Sequence, residues 1–274
     1  MKEKTVKLGT LKLGTGQKLF LIVGPCVIEN ERHAMKMAGH IARITQDLKI
    51  PTIFKASYDK ANRTSVHSFR GPGLHRGLQI LAQIKKEFHL PVLTDVHAVD
   101  EVIPAAEICD ILQIPAFLCR QTDLLVAAGQ SKAIINIKKG QFLAPKAMEP
   151  TIEKVLSTGN CRILLTERGS CFGYSNLVVD IRSLAIMKKM GFPVILDVTH
   201  SLQLPSAAGH VSAGQPEFIE PLANAGVAAG VDGLFMEIHD NPAKALSDGS
   251  SSLPLRQLRG LLKRLLKIAQ VVRH

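Results

Sequence analysis

Eight short apolar runs rich in β-branched residues are spaced along the chain, with longer amphipathic stretches between them. The runs lie at residues 19–24, 52–57, 91–96, 111–116, 133–138, 162–169, 193–200 and 232–239. Because each run is apolar almost throughout, the pattern is typical of a parallel sheet that is covered by helices. Eight repeats of a β-then-α unit over 274 residues predict a closed (β/α)8 barrel, or TIM barrel. A doubly wound open sheet is the alternative, although no GxGxxG turn follows the first run.

The stretches between the runs carry helical periodicity. Apolar side chains recur at spacings of three and four over residues 74–88 and again over 258–268, where lysine and arginine occupy the other positions. Ahead of the first run, residues 6–17 alternate around glycines in the manner of a β-hairpin. We therefore expect one domain over 1–274, in which residues 1–18 form a short N-terminal β-hairpin extension.

Composition limits the classes of partner. The formal net charge of +11 favours anionic partners such as nucleic acid, an acidic membrane or phosphorylated small molecules. Aromatic residues make up only 4% of the chain and tryptophan is absent, which argues against stacking on single-stranded nucleic acid. No apolar run approaches the roughly 20 residues of a membrane helix. Five cysteines without a CxxC pair favour a reducing compartment, so we expect a cytoplasmic protein that binds neither nucleic acid nor membrane.

Polar residues collect where the predicted strands end, which is where barrel enzymes have their active sites. Cys26 follows the first run, His200 ends the seventh, and Glu237 and Asp248 belong to the eighth and the segment after it. In a closed barrel these strands are neighbours, so a thiolate, an imidazole and two carboxylates can converge. This donor set suits Zn²⁺, Fe²⁺ or Mn²⁺. The alternative is an inert buried cysteine beside a hydrogen-bonded histidine.

A lipid anchor is a further reading of Cys26, because the basic N-terminus could imitate the start of a signal peptide. The apolar segment before it is short and Pro25 directly precedes the cysteine, so we do not favour this reading.

Several cations also lie at the predicted strand ends. Placing several cations at one barrel mouth costs free energy because they repel one another. A bound polyanion would offset this cost, most simply one that carries phosphate and carboxylate groups. The alternative is that they pair with nearby acids such as Glu167 and Asp95. The cations are Lys55, Lys60, Arg63, Lys138 and Arg168.

Longer motifs resemble one known family. The segments GPCVIEN, FKASYDKANRTS, SFRGPGL, LTDVH, LQIPAFLCRQTDLL, NIKKGQFLAP, TERGSCFGY, LDVTHSLQLP and FMEIHDNPAKALSDG occur in order between about residues 19 and 255. Together they resemble the 3-deoxy-manno-octulosonate 8-phosphate synthase family. The resemblance implies a (β/α)8 barrel that assembles as a homotetramer. It also implies condensation of phosphoenolpyruvate with D-arabinose 5-phosphate, a step in lipopolysaccharide biosynthesis.

The resemblance also implies roles for individual residues. It places the phosphoenolpyruvate site at Lys60, Lys138 and Arg168, with Gln113 and Ala116 nearby, and the sugar-phosphate site at Asn62, Arg63 and Thr64. Arg120 is similar to an arginine that reaches the sugar phosphate of a neighbouring subunit. Lys55, Asp95 and His97 are similar to polar groups around the reacting carbons, and the expected catalytic residues are Lys55, Lys60, Asp95 and His200.

The first motif separates two classes of the family. Metal-dependent members carry cysteine where metal-independent members carry asparagine, so Cys26 implies a divalent metal held with His200, Glu237 and Asp248. A related heptulosonate 7-phosphate synthase, which uses erythrose 4-phosphate, is the closest alternative. Its motif typically reads KPRTS, and Asn62 in KANRTS favours the five-carbon sugar. A basic, non-catalytic barrel that binds nucleic acid is the alternative from another class. In residues 205–216 the resemblance is looser.

Overall fold

The computed structural model describes residues 5–63, 65–172, 176–208 and 211–272, with backbone alone at 205–208 and 211–212. The strands are β1 Val6–Leu8, β2 Leu11–Leu13, β3 Phe20–Gly24, β4 Thr52–Lys55, β5 Val92–Asp95, β6 Ile111–Ile114, β7 Ile134–Lys138, β8 Ile163–Glu167, β9 Ser170–Cys171, β10 Leu177–Val178, β11 Val194–Asp197, β12 Gln203–Ala208, β13 Val211–Gly214, β14 Gly233–His239 and β15 Leu253–Pro254. The α-helices are α1 Glu31–Asp47, α2 Leu74–Phe88, α3 Val99–Ile108, α4 Thr122–Gln130, α5 Glu149–Leu156, α6 Arg182–Lys188, α7 Ile219–Ala228 and α8 Leu255–Val272.

Eight parallel strands close into a barrel. Their order is β3, β4, β5, β6, β7, β8, β11 and β14, and β14 pairs with β3 as well as with β11. The predicted (β/α)8 barrel is therefore confirmed, and the open-sheet alternative is wrong. In the closing register Glu237 lies opposite Gly24, which brings the last and first barrel strands side by side at the mouth.

The helices follow the strands and cover the outside of the barrel. The helix predicted over 74–88 is confirmed as α2, and the C-terminal repeat lies in α8. Helix α1 begins after Asn30, whose side chain accepts a hydrogen bond from the backbone N–H of His33 at 2.9 Å. On α8, Arg259 and Arg264 form ion pairs at the surface, which fits a solvated basic face.

The predicted N-terminal hairpin is present as β1 and β2, which pair antiparallel. Val6, Leu8 and Leu13 of the hairpin are buried in the same cluster as the residues that fill the barrel interior, among them Phe20 and Phe235. The hairpin therefore packs against the barrel core from its N-terminal side. The C-terminal mouth is the end that carries the polar side chains.

The barrel strands are shorter than most of the predicted runs, and at one of them polar contacts turn the chain out of the sheet. The run predicted over 193–200 ends as a strand at Asp197. There the carboxylate accepts hydrogen bonds from the backbone N–H groups of Thr199 and His200 at 3.1 and 2.9 Å. These bonds form a tight turn that presents His200 to the mouth.

Candidate active site

Two adjoining cavities open at the C-terminal mouth, with volumes of about 260 and about 780 Å³. They share several lining residues, so they are two compartments of one cleft, and Glu237 lines the smaller whereas Asp248 lines the larger. The shared lining residues are Lys60, Asn62, Phe117, Gln141, Arg168 and His200.

Three predicted metal ligands meet beside this cleft. Cys26, Glu237 and Asp248 each offer a ligand atom, and these atoms lie within 4.8 Å of one another. The Cys26 thiol contacts Asp248 Oδ2 at 3.1 Å and Ser247 Oγ at 2.8 Å. Residues more than 200 positions apart thus converge because β14 pairs with β3.

The local backbone explains how two of these ligands are placed. Gly24 ends β3, and a Cβ built there would lie 1.9 Å from the carbonyl oxygen of Lys55, so only glycine allows the close approach of β4. Asp248 adopts a left-handed conformation with φ 47°, and its carbonyl oxygen accepts hydrogen bonds from the hydroxyls of Ser251 and Ser252. This turn directs the carboxylate toward Cys26.

His200 lies next to the three ligands. Its Nε2 is 3.4 Å from Glu237 Oε1, and its Nδ1 is 2.7 Å from Asp197 Oδ2. A histidine that binds metal through one ring nitrogen commonly donates the other N–H to a carboxylate, and Asp197 is in position to accept it. The structure therefore places the fourth predicted ligand in contact with one of the other three.

The residues present fit a divalent cation. Glu237 Oε2 is buried and has no hydrogen-bond partner among the described residues. An unpartnered buried carboxylate oxygen is costly unless a ligand meets it. Burial, and then the charges of Asp248 and Glu237, raise the pKa of the Cys26 thiol well above its ordinary value. A bound cation would reverse this effect by favouring the thiolate. Sulfur, imidazole and carboxylate donors suit Zn²⁺, Fe²⁺ or Mn²⁺.

The cations of the cleft are deeply buried. Lys55 Nζ donates to Glu237 Oε1 at 2.8 Å and to the carbonyl oxygen of Cys26 at 2.7 Å. Lys138 Nζ donates to Asp197 Oδ2 at 2.6 Å, and burial lowers the pKa of Lys138 despite that carboxylate. These two lysines thus pair with acids, as the alternative interpretation of the cation cluster expected.

Arg168 behaves differently. Its Nη2 donates to Gln203 Oε1 at 2.9 Å, but its Nη1 is buried without a hydrogen-bond partner among the residues that the structure describes. Burial lowers the pKa of the guanidinium, with nearby acids acting against this effect. A desolvated guanidinium with one free edge is a ready site for a carboxylate or phosphate.

Lys60 and Asp95 complete the electrostatic pattern. Lys60 Nζ lies 3.9 Å from Asp248 Oδ2. Burial acts to lower the pKa of Lys60, but the surrounding acidic groups, Glu237 and Asp248 among them, outweigh it and raise the pKa. For Asp95, burial acts to raise the pKa, but the hydrogen bond from His97 and the nearby lysines hold it well below its ordinary value. Asp95 is therefore ionised and Lys60 is charged.

The remaining predicted residues are spread over the cleft. Gln113 and Ala116 line the smaller compartment, where Gln113 Oε1 accepts a hydrogen bond from Asn136 at 2.9 Å. Asn62 lines both compartments, and Arg63 lines the larger with Nη1 3.4 Å from Asp248 Oδ1. Thr64 lies outside the described residues.

Arg120 is not brought to this cleft. Its side chain is exposed, and it is absent from the described lining of both compartments. An arginine that reaches a neighbouring subunit would point away from its own site in this manner, and this role stays a prediction.

Sequence reasoning missed several residues that support the site. Gln203 holds Arg168, Ser57 donates to Asp95 Oδ1 at 2.7 Å, and Gln141 lines both compartments. Gln141 stands within the quoted motif NIKKGQFLAP, three residues after Lys138, so its nearness to the mouth was readable. Gln203 stands within the motif LDVTHSLQLP, but its contact with Arg168 had no local signal because it depends on how β12 meets the segment after β8.

The fold and the site together define a (β/α)8 barrel enzyme with a buried anion-binding arginine beside a thiol–carboxylate metal group. Comparison with known proteins identifies the family. A family model described as the DAHP synthetase I family matches residues 2–273. The chain belongs to this family. Its membership confirms the expectation of an enzyme and disfavours the non-catalytic barrel.

Near full-length relatives carry one name, 2-dehydro-3-deoxyphosphooctonate aldolase. The relative from Koribacter versatilis is 60% identical over 274 residues, covering 99% of this chain and 96% of that protein. The relative from Geobacter metallireducens is 56% identical over 270 residues, and that from Geobacter sulfurreducens is 53% identical over 270, each covering 98% of this chain and 99% of the relative. The predicted octulosonate resemblance is confirmed, and it is favoured over the heptulosonate alternative.

The described part of the chain contains no helix that is both long and apolar enough to cross a membrane.

Proposed function

We propose that this chain condenses phosphoenolpyruvate with D-arabinose 5-phosphate and water to give 3-deoxy-D-manno-octulosonate 8-phosphate and inorganic phosphate. The printed name of the relatives and their identity over nearly the whole chain support this reaction. The observation that carries the proposal is the cleft itself. It places the free guanidinium edge of Arg168 at the same mouth as the unpartnered Glu237 oxygen, so one anion and one cation can be bound together.

Arg168 and Lys138 hold phosphoenolpyruvate in the smaller compartment. Arg168 offers an unpaired N–H edge, and Lys138 adds a buried ammonium that is tied to Asp197. Gln113 and Ala116 line the same compartment and fix the orientation of the enol. Charges that are already in place need no reorganisation as charge develops in the reaction, and this is the main source of electrostatic catalysis.

The sugar phosphate occupies the larger compartment. Asn62 and Arg63 line it, and Thr64 continues the same segment. Arg63 Nη1 lies 3.4 Å from Asp248 Oδ1, so the phosphate would compete with this carboxylate for the guanidinium. Lys60 lines both compartments, so it can bridge the two substrates. In this arrangement the aldehyde lies over the enol carbon, and the two reactants meet as a preorganised pair.

The chemical step forms one carbon–carbon bond and releases phosphate. Carbon 3 of phosphoenolpyruvate attacks the aldehyde carbon, and water adds to carbon 2. The aldehyde oxygen takes up the proton that the water loses. The carbon–oxygen bond to the phosphate then breaks, and the new hydroxyl on carbon 2 loses its proton to give the ketone. Lys55 and Asp95 line the smaller compartment, where they orient the reacting groups. The lowered pKa of Asp95 keeps its carboxyl ionised, and Lys55 Nζ donates a hydrogen bond to Glu237 Oε1.

Cys26, His200, Glu237 and Asp248 would hold the divalent metal. A bound divalent ion supplies Lewis-acid polarisation of an oxygen and can orient water. His200 is kept in place by Asp197, which also receives Lys138, so the metal side and the anion side share one buried carboxylate.

The experiment is phosphate release from phosphoenolpyruvate with each of two aldoses, with and without chelator. Arabinose 5-phosphate should support release, erythrose 4-phosphate should support little, and chelation should abolish activity until Zn²⁺, Fe²⁺ or Mn²⁺ is restored. Faster release with erythrose 4-phosphate would reject the substrate proposal. Full activity of metal-stripped protein would reject the metal proposal alone.

We further propose three properties that accompany this function. The chain forms one domain over 1–274, it works as a homotetramer, and it is cytoplasmic. The family resemblance supports the tetramer, and the unpaired cysteine pattern supports the compartment. Size-exclusion chromatography with light scattering tests the tetramer directly.

A further inference from the structure

A second group of possible metal ligands lies outside the catalytic cleft. Glu29 follows β3, His33 lies in the first turn of α1, and His239 ends β14. One ligand atom from each lies within 4.8 Å of the others. None of the three lines either compartment of the cleft as described. The group therefore does not belong to the site of the proposed reaction.

The spacing of these atoms fits a small cation. His239 Nε2 is 3.2 Å from Glu29 Oε1, and His33 Nδ1 is 3.8 Å from Glu29 Oε2. Ligands around tetrahedral zinc at metal bonds of about 2.0–2.1 Å stand about 3.3 Å apart. The two separations from Glu29 lie close to this spacing, and the three ligand atoms lie within 4.8 Å of one another, so the group would contract around a bound ion. All three side chains are largely buried, with exposures of 13%, 12% and 7% for Glu29, His33 and His239.

A second observation points to a ligand at this place. His33 Nδ1 is buried and has no hydrogen-bond partner among the described residues. Its other ring nitrogen, Nε2, lies 3.1 Å from Asp240 Oδ1. When that nitrogen donates its proton to the carboxylate, Nδ1 is left with a free lone pair directed toward the group. A carboxylate behind a histidine is the usual arrangement around a protein-bound metal.

Asp240 stands behind both histidines. His239 Nδ1 is 3.2 Å from the same Asp240 Oδ1, and it also accepts a hydrogen bond from the backbone N–H of Asn241 at 2.9 Å. His239 Nε2 forms a hydrogen bond with Glu29 Oε1 at 3.2 Å. An ion at Nε2 would replace this bond, and the ring proton would then sit on Nδ1, where it faces Asp240 at the cost of the Asn241 bond. Glu29 Oε1 also accepts from the backbone N–H of Leu246 at 2.8 Å, which keeps the carboxylate in place.

We propose that Glu29, His33 and His239 form a second divalent-metal site, with Asp240 orienting both imidazoles. Two imidazoles and one carboxylate favour a borderline ion such as Zn²⁺ over Mg²⁺ or Ca²⁺. The site joins the start of α1 to the end of β14, and through Leu246 it connects to the segment that carries Asp248. It is therefore a structural site, independent of the proposed reaction.

The test counts the metal bound by stripped protein. Protein freed of metal is dialysed against Zn²⁺ alone, and the bound metal is measured by mass spectrometry for wild type, Cys26→Ala, His33→Ala and the double variant. Two equivalents are expected for wild type, one for each single variant and none for the double. His40→Ala, an exposed histidine on the same helix, is the matched control and should keep two equivalents.

A spectroscopic readout separates the two sites and guards against misfolding. Co²⁺ bound at Cys26 should show a sulfur-to-metal charge-transfer band, which Cys26→Ala removes while visible d–d bands remain. Those remaining bands should disappear in the double variant, with circular dichroism unchanged. Cys26→Ala that binds no metal, or His33→Ala that keeps as many equivalents as wild type, would overturn the second site.

Discussion

Lys139 offers a sharp test of how the mouth is built, because its ammonium is fully buried yet lies next to a cleft lysine, Lys138. Its Nζ joins the loop after β7 to the loop after β8, the latter carrying Arg168. The oxygen partners are the carbonyls of Gly140, Leu143 and Gly169 at 3.2, 3.1 and 3.3 Å, the hydroxyl of Ser170 at 2.9 Å, and Glu167 Oε1 at 3.4 Å. We expect Lys139→Met to loosen both loops together.

The magnitude follows from what the substitution leaves behind. Hydrogen bonds to a charged group contribute about 1.5–3 kcal/mol each, but their losses overlap within one network. Breaking a buried ion pair by removing one partner costs about 3–5 kcal/mol, since the other charge stays buried. Glu167 is that charge, and its Oε1 also accepts from the backbone N–H groups of Arg168 and Gly169. We therefore expect a loss of about 3–5 kcal/mol in the free energy of unfolding.

Urea denaturation measures this loss, with the slope of the transition checked for change. Lys154→Met is the matched control, because Lys154 Nζ donates to the exposed carbonyl oxygen of Arg120. It should cost less than about 1 kcal/mol. In kinetics, Lys139→Met should raise KM for phosphoenolpyruvate more than KM for the sugar phosphate. A stability change within about 0.5 kcal/mol would refute the account of Lys139 as the connection between the loops.

Three further predictions address separate parts of the site. Arg63→Ala should raise KM for arabinose 5-phosphate about tenfold or more with a smaller effect on phosphoenolpyruvate, in steady-state assays, and equal effects would contradict the division of the cleft. Burial acts to lower the pKa of His97, but Asp95 and other acids raise it. The stabilisation from the protonated His97 imidazole is present below about pH 6.5 and is lost as pH rises through the raised pKa. His97→Gln should therefore lower the free energy of unfolding more near pH 6 than near pH 9, and a loss that does not change with pH would contradict this. Gly24→Ala should destabilise by about 1–3 kcal/mol or more in thermal melts, because its methyl group meets the carbonyl oxygen of Lys55; a neutral melt would show that the strands can separate.

Much of the fold could be predicted from the sequence because burial on both faces leaves a simple pattern. Each barrel strand is apolar almost throughout, so eight runs were visible, and the β-then-α order left few topologies. The ends of the strands were less certain. Asp197 is an acidic residue inside one of the predicted runs. Only the structure shows that its carboxylate ends β11 by accepting hydrogen bonds from two backbone N–H groups.

The candidate site was predictable to the extent that it lies at strand ends. Closure of the barrel, which follows from topology, brings Cys26 and Glu237 together, and the turn at Asp248 adds the second carboxylate. The contacts between loops were not predictable in this way. Gln203 reaches Arg168 from the start of β12, and Lys139, the sequence neighbour of Lys138, is wholly internal. Such contacts depend on side-chain paths that no periodicity records.

The unpartnered groups of the cleft carry the strongest argument about its purpose. Glu237 Oε2 and Arg168 Nη1 are both buried and have no hydrogen-bond partners in the described part of the chain. The carboxylate oxygen attracts cations, whereas the guanidinium nitrogen attracts anions. A mouth selected only for stability would pair them or replace them with apolar groups, because each costs about 1–3 kcal/mol or more when left unmet. Keeping both open is expected where one ligand is a cation and another is an anion. On the proposed function, the barrel gives up stability at its mouth so that a divalent metal and phosphoenolpyruvate can each complete a half-satisfied network.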